Sequence, residues 1–254
     1  MLRRLKSQVE TELPPLTEIV ERIPLEGKQR QVYEAVRLAA RSDVQEALKK
    51  GQGASIQVLE ALLRMRQACC DPSLLPGDAG LGADAAKLDR LEELLVEVVG
   101  EGHKMLVFSQ WTSLLDRVEP RLKQLGVDWV RLDGSTRDRQ GAVDRFQDAA
   151  GPPVFLLSLK AGGFGLNLTA ADYVVHLDPW WNPAVERQAT DRAHRIGQDR
   201  PVMSFKLVAE DTVEERILEL QAAKRELADA ALGTEGGFLR ALSAEDLRSL
   251  FDAA

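Results

Sequence analysis

Short apolar runs alternate with helical segments through the second half of this 254-residue chain, and this alternation constrains the fold most. Strands joined by helical crossovers form a mainly parallel sheet with helices on both faces. The sequence therefore predicts an α/β fold. The predicted strands are Met105–Phe108, Val127–Leu132, Val154–Leu157, Tyr173–Leu177 and Val202–Val208, with helices at Ser113–Gln124, Arg137–Gln147 and Ala184–Arg195.

Polar or glycine-rich loops follow four of the predicted strands. Ligands of open parallel sheets bind beyond the carboxyl ends of the strands, where such loops meet. One edge of the sheet is therefore predicted to be functional. The loops are Ser109-Gln110-Trp111, Asp133-Gly134-Ser135-Thr136, Ser158 to Gly165 and Asp178 to Asn182.

The segments on either side of this pattern are predicted to be helical. Residues 1 to about 75 carry apolar positions at helical spacing, interrupted by prolines around a short apolar segment, Glu18 to Ile23. Small residues at 76 to 86 indicate a linker, and Lys87–Gly100 is amphipathic. Thr212-x-x-Glu215 resembles a capping box that opens a helix to about Leu232, and Ser243–Phe251 is a last short helix.

Composition excludes several classes of protein. No apolar run reaches the ~18 residues of a membrane span, and no secretory signal opens the chain. The net charge of −7 argues against coating of nucleic acid by bulk charge, although a local groove can still bind DNA. The two cysteines, Cys69 and Cys70, are adjacent, which fits a reducing compartment. Three scattered histidines and no cysteine cluster give no metal site.

Two arginines near the end of the last predicted crossover helix are candidate ligands of an anion. Helical spacing places Gln188, Arg192 and Arg195 on one face, and Gly197 ends the run. Neighbouring guanidinium groups repel each other unless an anion lies between them, and a nucleotide triphosphate suits their planar geometry. The alternative is a solvated basic face paired with Glu186, Asp191 or Asp199.

Residues 154–198 resemble motifs V and VI of the Swi/Snf-type ATPases, which are DNA-translocating and chromatin-remodelling enzymes of helicase superfamily two. The matching stretches are Val154 to Leu168, Asp172 to Asp178, Pro179-Trp180-Trp181-Asn182-Pro183 and Gln188 to Gln198. Leu13-Pro14-Pro15, Gln31-Val32-Tyr33 and Leu63 to Pro72 resemble the helical segments between the two ATPase lobes of this family. The resemblance extends over nearly the whole chain.

This resemblance implies three parts. Residues 1–80 are expected to be the helical inter-lobe segment, 81–208 a RecA-like C-terminal lobe, and 209–254 brace helices. In the family the two arginines of the last motif act as arginine fingers on ATP, a role that falls to Arg192 and Arg195. Gln188 is expected to help sense the nucleotide, and Gly163 and Gly165 to face the ATP cleft and the DNA groove.

The resemblance also implies contacts with double-stranded DNA. Small polar and lysine side chains position a duplex without reading its sequence. Surface solvation, capping of the next helix by Ser135 or Thr136, and core packing of the tryptophan pair are the alternatives, and Trp180 is expected to pack. The implied DNA contacts are Ser109, Gln110, Trp111, Thr136, Ser158, Lys160, Asn167 and Trp181.

No phosphate-binding loop of the G-x-x-x-x-G-K-[ST] type and no acidic box after a strand is present in the sequence. The resemblance therefore implies that ATP and Mg²⁺ are held mainly by a first lobe absent from this chain. The chain is expected to be a piece of a longer protein and inactive alone, with that lobe and duplex DNA as partners and no membrane. Alanine and arginine usage suggests a bacterial source. The expected location is the cytoplasm, with nucleoid association if the protein is bacterial.

Two other functions stay open at this point. The chain could be a DNA-binding or interaction module without an ATPase role, which the two intact arginines oppose. It could also be another sheet enzyme that uses the glycine loop for a small nucleotide. The absence of an acidic ribose ligand at the expected spacing opposes that reading.

Overall fold

The computed structural model describes residues 13–50, 54–77, 80, 82–159, 165–223 and 243–252. Strands and helices alternate along most of this length, as the pattern predicted. The strands are β1 Leu16–Ile23, β2 Met105–Ser109, β3 Trp129–Leu132, β4 Val154–Ser158, β5 Tyr173–His176 and β6 Val202–Ala209. The helices are α1 Gly27–Lys50, α2 Ala54–Cys70, α3 Ala86–Gly100, α4 Thr112–Leu125, α5 Arg139–Gln147, α6 Pro183–Thr190, α7 Val213–Ala223 and α8 Ala244–Ser249.

The six strands form one sheet in the order β1-β6-β5-β2-β4-β3, and every neighbouring pair is parallel. Alternate residues of β2 point to opposite faces, as the twofold period of a strand requires. Met105 and Val107 pack against α3 and α4, while Leu106 and Phe108 pack on the side of α5 and α6. The predicted α/β fold with helices on both faces is confirmed.

The prediction of helix throughout the first 75 residues is wrong for Leu16–Ile23. This segment is β1, an eight-residue strand that pairs in parallel with β6 from Leu16–Val202 to Ile23–Ala209. It lies at the edge of the sheet, where only Ile23 of the strand is buried. A weakly buried edge strand lacks the apolar alternation that identifies strands in a sequence, which explains why the pattern did not show it.

A third cluster of buried residues lies where the N-terminal and C-terminal helices meet. Tyr33 of α1, Leu62 and Met65 of α2, Ile217 of α7 and Phe251 after α8 pack together there. The Tyr33 hydroxyl accepts a hydrogen bond from the Val213 backbone N–H at 2.7 Å. Helices α1 and α2, which follow β1, therefore share one core with α7 and the segment after α8.

Two local details differ from the sequence prediction, one at the start of α7 and one in the predicted linker. Glu215 accepts from the Asp211 backbone N–H at 2.7 Å, whereas Thr212 accepts from the Glu214 N–H at 3.2 Å, so the capping contacts at α7 differ from the predicted box. The remainder of the predicted helix, 224–232, lies outside the described residues. Within the predicted linker, Gly80 packs so closely that a Cβ there would lie 2.0 Å from the Pro72 carbonyl oxygen.

Candidate functional site

The loop after β2 is tied to the loop after β5 by a buried carboxylate. Asp178 accepts from the Ser109 hydroxyl at 2.6 Å and from the Gln110 backbone N–H at 3.2 and 3.3 Å. The Ser109 hydroxyl also accepts from the Trp111 N–H at 3.0 Å. Burial raises the pKa of Asp178 to about 6. Ser109, a predicted DNA contact, is fully buried and orients the two residues that follow it.

Arg66 of α2 lies between the same two loops. It is 0% exposed, and its guanidinium carbon lies 5.2 Å from the Trp111 ring centre and 5.1 Å from that of Trp181. Its Nη2 donates to the Pro179 carbonyl at 2.5 Å, and its Nη1 donates to Gln110 Oε1 at 3.4 Å. Arg66 is not among the predicted site residues, although it lies in the Leu63 to Pro72 segment that resembles the family.

The backbone of the tryptophan pair is held from two further sides. Gln221 of α7 donates to the carbonyls of Trp180 and Trp181 at 2.7 and 2.9 Å. Glu186 of α6 accepts from the Trp180 N–H at 2.6 Å and forms an ion pair with Lys206. Glu186 is buried, so it does not belong to a solvated basic face as one alternative supposed.

The two tryptophans enter different cores. Trp180 packs in the cluster with Phe108 and Ala189, in agreement with the expectation that it packs. Trp181 packs with Leu62 and Met65 and is 1% exposed. Its contact with DNA stays a prediction, and such a contact would require this ring to leave the core.

Arg192 and Arg195 occupy different environments because α6 ends earlier than predicted. The helix stops at Thr190, and tight turns follow. In these turns the Arg192 backbone N–H donates to the Ala189 carbonyl, and the Ala193 N–H donates to the Thr190 carbonyl. The predicted common helix face for Gln188, Arg192 and Arg195 is therefore wrong. Gln188 and Arg195 are exposed, whereas Arg192 is 7% exposed.

The guanidinium of Arg192 is buried over an aromatic ring. Its central carbon lies 5.6 Å from the Phe108 ring centre, and burial lowers the pKa of the group to about 10. Among the described residues, its Nη1 has no hydrogen-bond partner. A buried donor of a charged group without a partner is costly unless an acceptor arrives with a ligand.

His176, at the end of β5, also contacts the Phe108 ring. It stacks on Phe108 with ring centres 5.5 Å apart, and its Nε2 lies 3.0 Å from the Thr190 hydroxyl oxygen. Burial lowers its pKa to about 3, with Lys206 and Arg192 adding to the effect. Its Nδ1 also lacks a hydrogen-bond partner within the described part of the chain.

The segment that carries both arginines is fastened by Gln198. Its amide nitrogen donates to the carbonyls of Ala171 at 2.8 Å and Ala193 at 3.1 Å. Its carbonyl oxygen accepts from the backbone N–H groups of Asp199 and Arg200, both at 3.0 Å. Gln198 ends the stretch on which the resemblance depends, and its position at the end of the turn accounts for its structural role.

A buried ion pair lies behind the tryptophan loop. Lys87 of α3 contacts Glu214 of α7 at 2.5 Å, and both side chains are almost fully buried. Lys87 also donates to the Leu177 carbonyl at 2.9 Å, and Glu214 accepts from the Ala209 N–H at 2.9 Å. Burial opposes the charge of Lys87, but nearby Cys70 and Glu214 raise its pKa above the ordinary value. The pair joins the ends of β5 and β6 to helices α3 and α7.

The remaining predicted site residues that the structure describes lie at the ends of β3 and β4 or in the loops after them, with Ser158 opposite Ser109. Gly165, with φ of 72°, and Asn167 are exposed, and Ser158 at the end of β4 is buried. Thr136 accepts from the Asp133 N–H at 3.0 Å and closes the turn after β3; Asp138, not Ser135 or Thr136, caps α5. Lys160 and Gly163 lie outside the described residues.

The described residues contain no group of three histidine, cysteine or acidic side chains that could hold a metal ion. Within the same residues, no helix has the length and apolar character needed to cross a membrane.

Comparisons with known proteins identify the family. The helicase conserved C-terminal domain matches residues 86–197, and the SNF2-related domain matches residues 1–74. Over 254 residues the chain is 36% identical to an uncharacterized ATP-dependent helicase of Mycoplasma pneumoniae, covering 99% of this chain and 24% of that protein. It is 37% identical to the mouse SWI/SNF-related matrix-associated actin-dependent regulator of chromatin subfamily A member 1, covering 89% and 23%.

A solved structure agrees with the fold. The Sulfolobus solfataricus SWI2/SNF2 ATPase core in complex with dsDNA matches with a TM-score of 0.76 and 30% identity, over 100% of this chain and 54% of that one. The chain therefore belongs to the Snf2-related helicases of superfamily two and corresponds to their C-terminal RecA-like lobe. It spans about a quarter of the length of the two relatives named above.

Proposed function

We propose that the chain is the C-terminal lobe of an ATP-dependent double-stranded DNA translocase or remodeller. The observation that carries this proposal is the buried guanidinium of Arg192, whose Nη1 has no acceptor among the described residues. It lies at the edge of the sheet where parallel α/β proteins bind ligands. A triphosphate held by a partner lobe would supply the missing acceptor.

The two arginines would act on that triphosphate from different positions. Arg195 is exposed and can approach a nucleotide held by another lobe, while Arg192 is buried beside Phe108. Charge develops on the phosphoryl oxygens during transfer, and an arginine finger that stabilises it typically contributes about 10³–10⁵ in rate. Gln188, exposed on α6, would sense the nucleotide. We propose that Gly165, which is exposed, and Gly163, which lies outside the described residues, face the cleft.

Mg²⁺ bound with ATP would neutralise charge on the phosphate oxygens. The described residues offer no group of three metal ligands, so we assign the ion and most of the triphosphate to a first lobe. That lobe and duplex DNA are the proposed partners. Closing and opening of the two lobes around ATP would then move the protein along DNA.

The proposed DNA surface follows the loops at the same edge. Trp111 is partly exposed and Asn167 is exposed, so both are available for contact with the sugar-phosphate backbone. Gln110 adds an amide donor without a partner in the described structure. Ser158, Lys160, Thr136 and Trp181 complete the proposed set, and the buried members among them would support the contacting loops. The duplex bound to the Sulfolobus relative supports DNA as the ligand class.

The test uses Arg195→Ala in a protein that joins this chain to a first lobe. Hydrolysis stimulated by DNA should fall by about 10³-fold or more, while the DNA dissociation constant changes little, because the finger acts on phosphoryl transfer. Arg145→Ala is the matched control, since Arg145 is an exposed arginine of α5 at the opposite end of the sheet. Equal losses of DNA binding and hydrolysis would favour a DNA-binding module without an ATPase role.

This chain alone provides a second measurement. Without a phosphate-binding lobe it should hydrolyse no ATP above background, with or without duplex DNA. Clear turnover that Arg195→Ala abolishes would show a complete nucleotide site within the chain and would contradict the assignment of the triphosphate to another lobe.

A further inference from the structure

Arg66 is a fully buried cation that contacts both the loop after β2 and the loop after β5. It is 0% exposed, yet it belongs to α2, which lies between β1 and β2 in the sequence. Its guanidinium stacks between Trp111 and Trp181, with centre distances of 5.2 and 5.1 Å. A desolvated cation between two aromatic faces is attracted by both rings.

The hydrogen bonds of Arg66 run to the same two loops. Nη2 donates to the Pro179 carbonyl at 2.5 Å, in the loop after β5. Nη1 donates to Gln110 Oε1 at 3.4 Å, in the loop after β2. A planar fork can stack on both rings and donate in two directions at once, which a lysine ammonium cannot do.

This arrangement also orients the Gln110 amide. Because Oε1 faces Arg66, Nε2 is turned away from it, and that nitrogen is buried without a hydrogen-bond partner among the described residues. An amide donor without a partner suits an oxygen acceptor such as a phosphate. Arg66 therefore sets the direction of a donor that it does not itself present.

The helix that carries Arg66 is connected to the rest of the helical region. Gln29 of α1 donates to the carbonyls of Ala68 and Cys69 at 3.1 and 3.2 Å. Cys70 at the end of α2 donates to Glu214 of α7 at 3.7 Å. A shift of α2 relative to the sheet would consequently reach both loops through Arg66.

We propose that Arg66 is a positioning residue that couples α2 to the loops after β2 and β5, and so sets how strongly DNA binding stimulates hydrolysis. The inference rests on the proposed function, because it assigns a purpose to loops proposed to meet DNA. Arg66 itself is proposed to touch neither ATP nor DNA. It acts through Gln110, Trp111 and the Pro179–Trp181 backbone.

The test compares Arg66→Lys with the matched control Arg64→Lys in a two-lobe protein. Arg64 lies on the same helix but is exposed and pairs with exposed Glu60. For Arg66→Lys, the duplex concentration giving half-maximal stimulation should rise about tenfold, because stacking and one directed hydrogen bond are lost. Hydrolysis without DNA and its KM for ATP should stay close to those of the unmodified protein. The control should change neither quantity.

Arg66→Gln covers the case in which a buried lysine prevents folding. It removes the charge, so no buried cation is left without its partners, and it should raise the half-saturating duplex concentration in the same direction. Combining Arg66→Gln with Trp111→Phe should cost less than the sum of the two single effects, since both act on one contact. Full additivity, or equal loss of DNA-free and DNA-stimulated hydrolysis, would overturn the positioning role.

A spectroscopic arm separates this inference from the proposed function. In this chain alone, Arg66→Lys should shift tryptophan emission because two of the four tryptophans lose the stacked cation, and Arg64→Lys should not. If this shift appears while Arg195→Ala leaves hydrolysis unchanged, the arginine-finger proposal fails and the positioning geometry stands. An unchanged emission spectrum with a normal response to Arg195→Ala would overturn the positioning role alone.

Discussion

The two faces of the sheet treat buried charge differently at the same edge. On the side of α3 and α7, Lys87 and Glu214 form a pair at 2.5 Å with further backbone contacts. On the side of α5 and α6, Arg192 Nη1 and His176 Nδ1 have no hydrogen-bond partner in the described residues. The Lys87–Glu214 pair has its polar contacts within the folded chain, while Arg192 and His176 each leave a buried nitrogen without a partner among the described residues. We therefore assign the Lys87–Glu214 pair to the fold and propose Arg192 for ligand binding.

The largest expected effect comes from removing one partner of the buried Lys87–Glu214 ion pair. Glu214→Leu leaves the Lys87 ammonium buried without its carboxylate, which should lower the free energy of unfolding by about 3–5 kcal/mol. Urea unfolding of the chain measures the loss. Glu219→Leu is the control, because Glu219 is exposed in its pair with Arg216 and its loss should cost about 0.5 kcal/mol or less.

The double variant Lys87→Met with Glu214→Leu should recover most of that loss, since replacing a buried pair with apolar groups is often close to neutral. If Glu214→Leu lowers the free energy of unfolding no more than Glu219→Leu does, the buried pair does not stabilise the fold as proposed.

An intermediate effect concerns His176 and pH. Its folded pKa of about 3 lies below the ordinary value of 6.5, so the unfolded chain takes up a proton first as the pH falls. Stability from the neutral ring is therefore present above pH 6.5 and is lost progressively from pH 6.5 towards pH 3. As the pH falls from 7 to 5, the natural chain should lose roughly 2 kcal/mol of unfolding free energy relative to His176→Phe.

Comparison with the His176→Phe variant at each pH is necessary because Asp178 acts in the opposite sense. Its folded pKa of about 6 exceeds the ordinary 3.8, so its contribution to stability falls as the pH rises between those values. Both proteins retain Asp178, and its effect cancels in the difference. A gap that stays constant from pH 7 to pH 5 would contradict the buried neutral state of His176.

The smallest expected effect concerns Arg192, the buried arginine whose Nη1 has no hydrogen-bond partner among the described residues. Arg192→Met removes a buried guanidinium that lacks one acceptor, so the free energy of unfolding should change by about 1 kcal/mol or less and can rise. Pyrophosphate at about five times its dissociation constant should stabilise the natural chain by roughly 1 kcal/mol and the variant by much less. Thermal unfolding with and without pyrophosphate measures both. Equal stabilisation of the two chains would show that Arg192 does not face an anion site.

The central sheet was predictable because its strands are buried on both faces and read as continuous apolar runs between helices. The edge strand β1 was not, since Thr17, Glu18, Glu21 and Arg22 interrupt its apolar residues and only Ile23 is buried. β1 pairs with β6, and most of the α/β region lies between these two strands in the sequence. Contacts of that separation are decided by tertiary packing.

The site was predictable as a set of loops and less so as a geometry. Helical spacing placed Arg192 and Arg195 side by side, but the helix ends at Thr190 and the turns that follow bury one and expose the other. Periodicity assumes that the helix continues, and only the tertiary contacts of Gln198 show where the chain turns instead. Arg66 was missed because its partners lie 44 or more residues away in the chain.

The pairing of β1 with β6 has a mechanical consequence. The two strands run in the same direction over the eight residues of β1, with Leu16 opposite Val202 and Ile23 opposite Ala209. A pull on the chain before Leu16, directed along the strand, would load these interstrand hydrogen bonds together in shear, instead of peeling them apart one by one. Tension that reaches the lobe through this segment would thus be shared along the length of the strand and passed to the β6–α7 connection, beside the tryptophan loop.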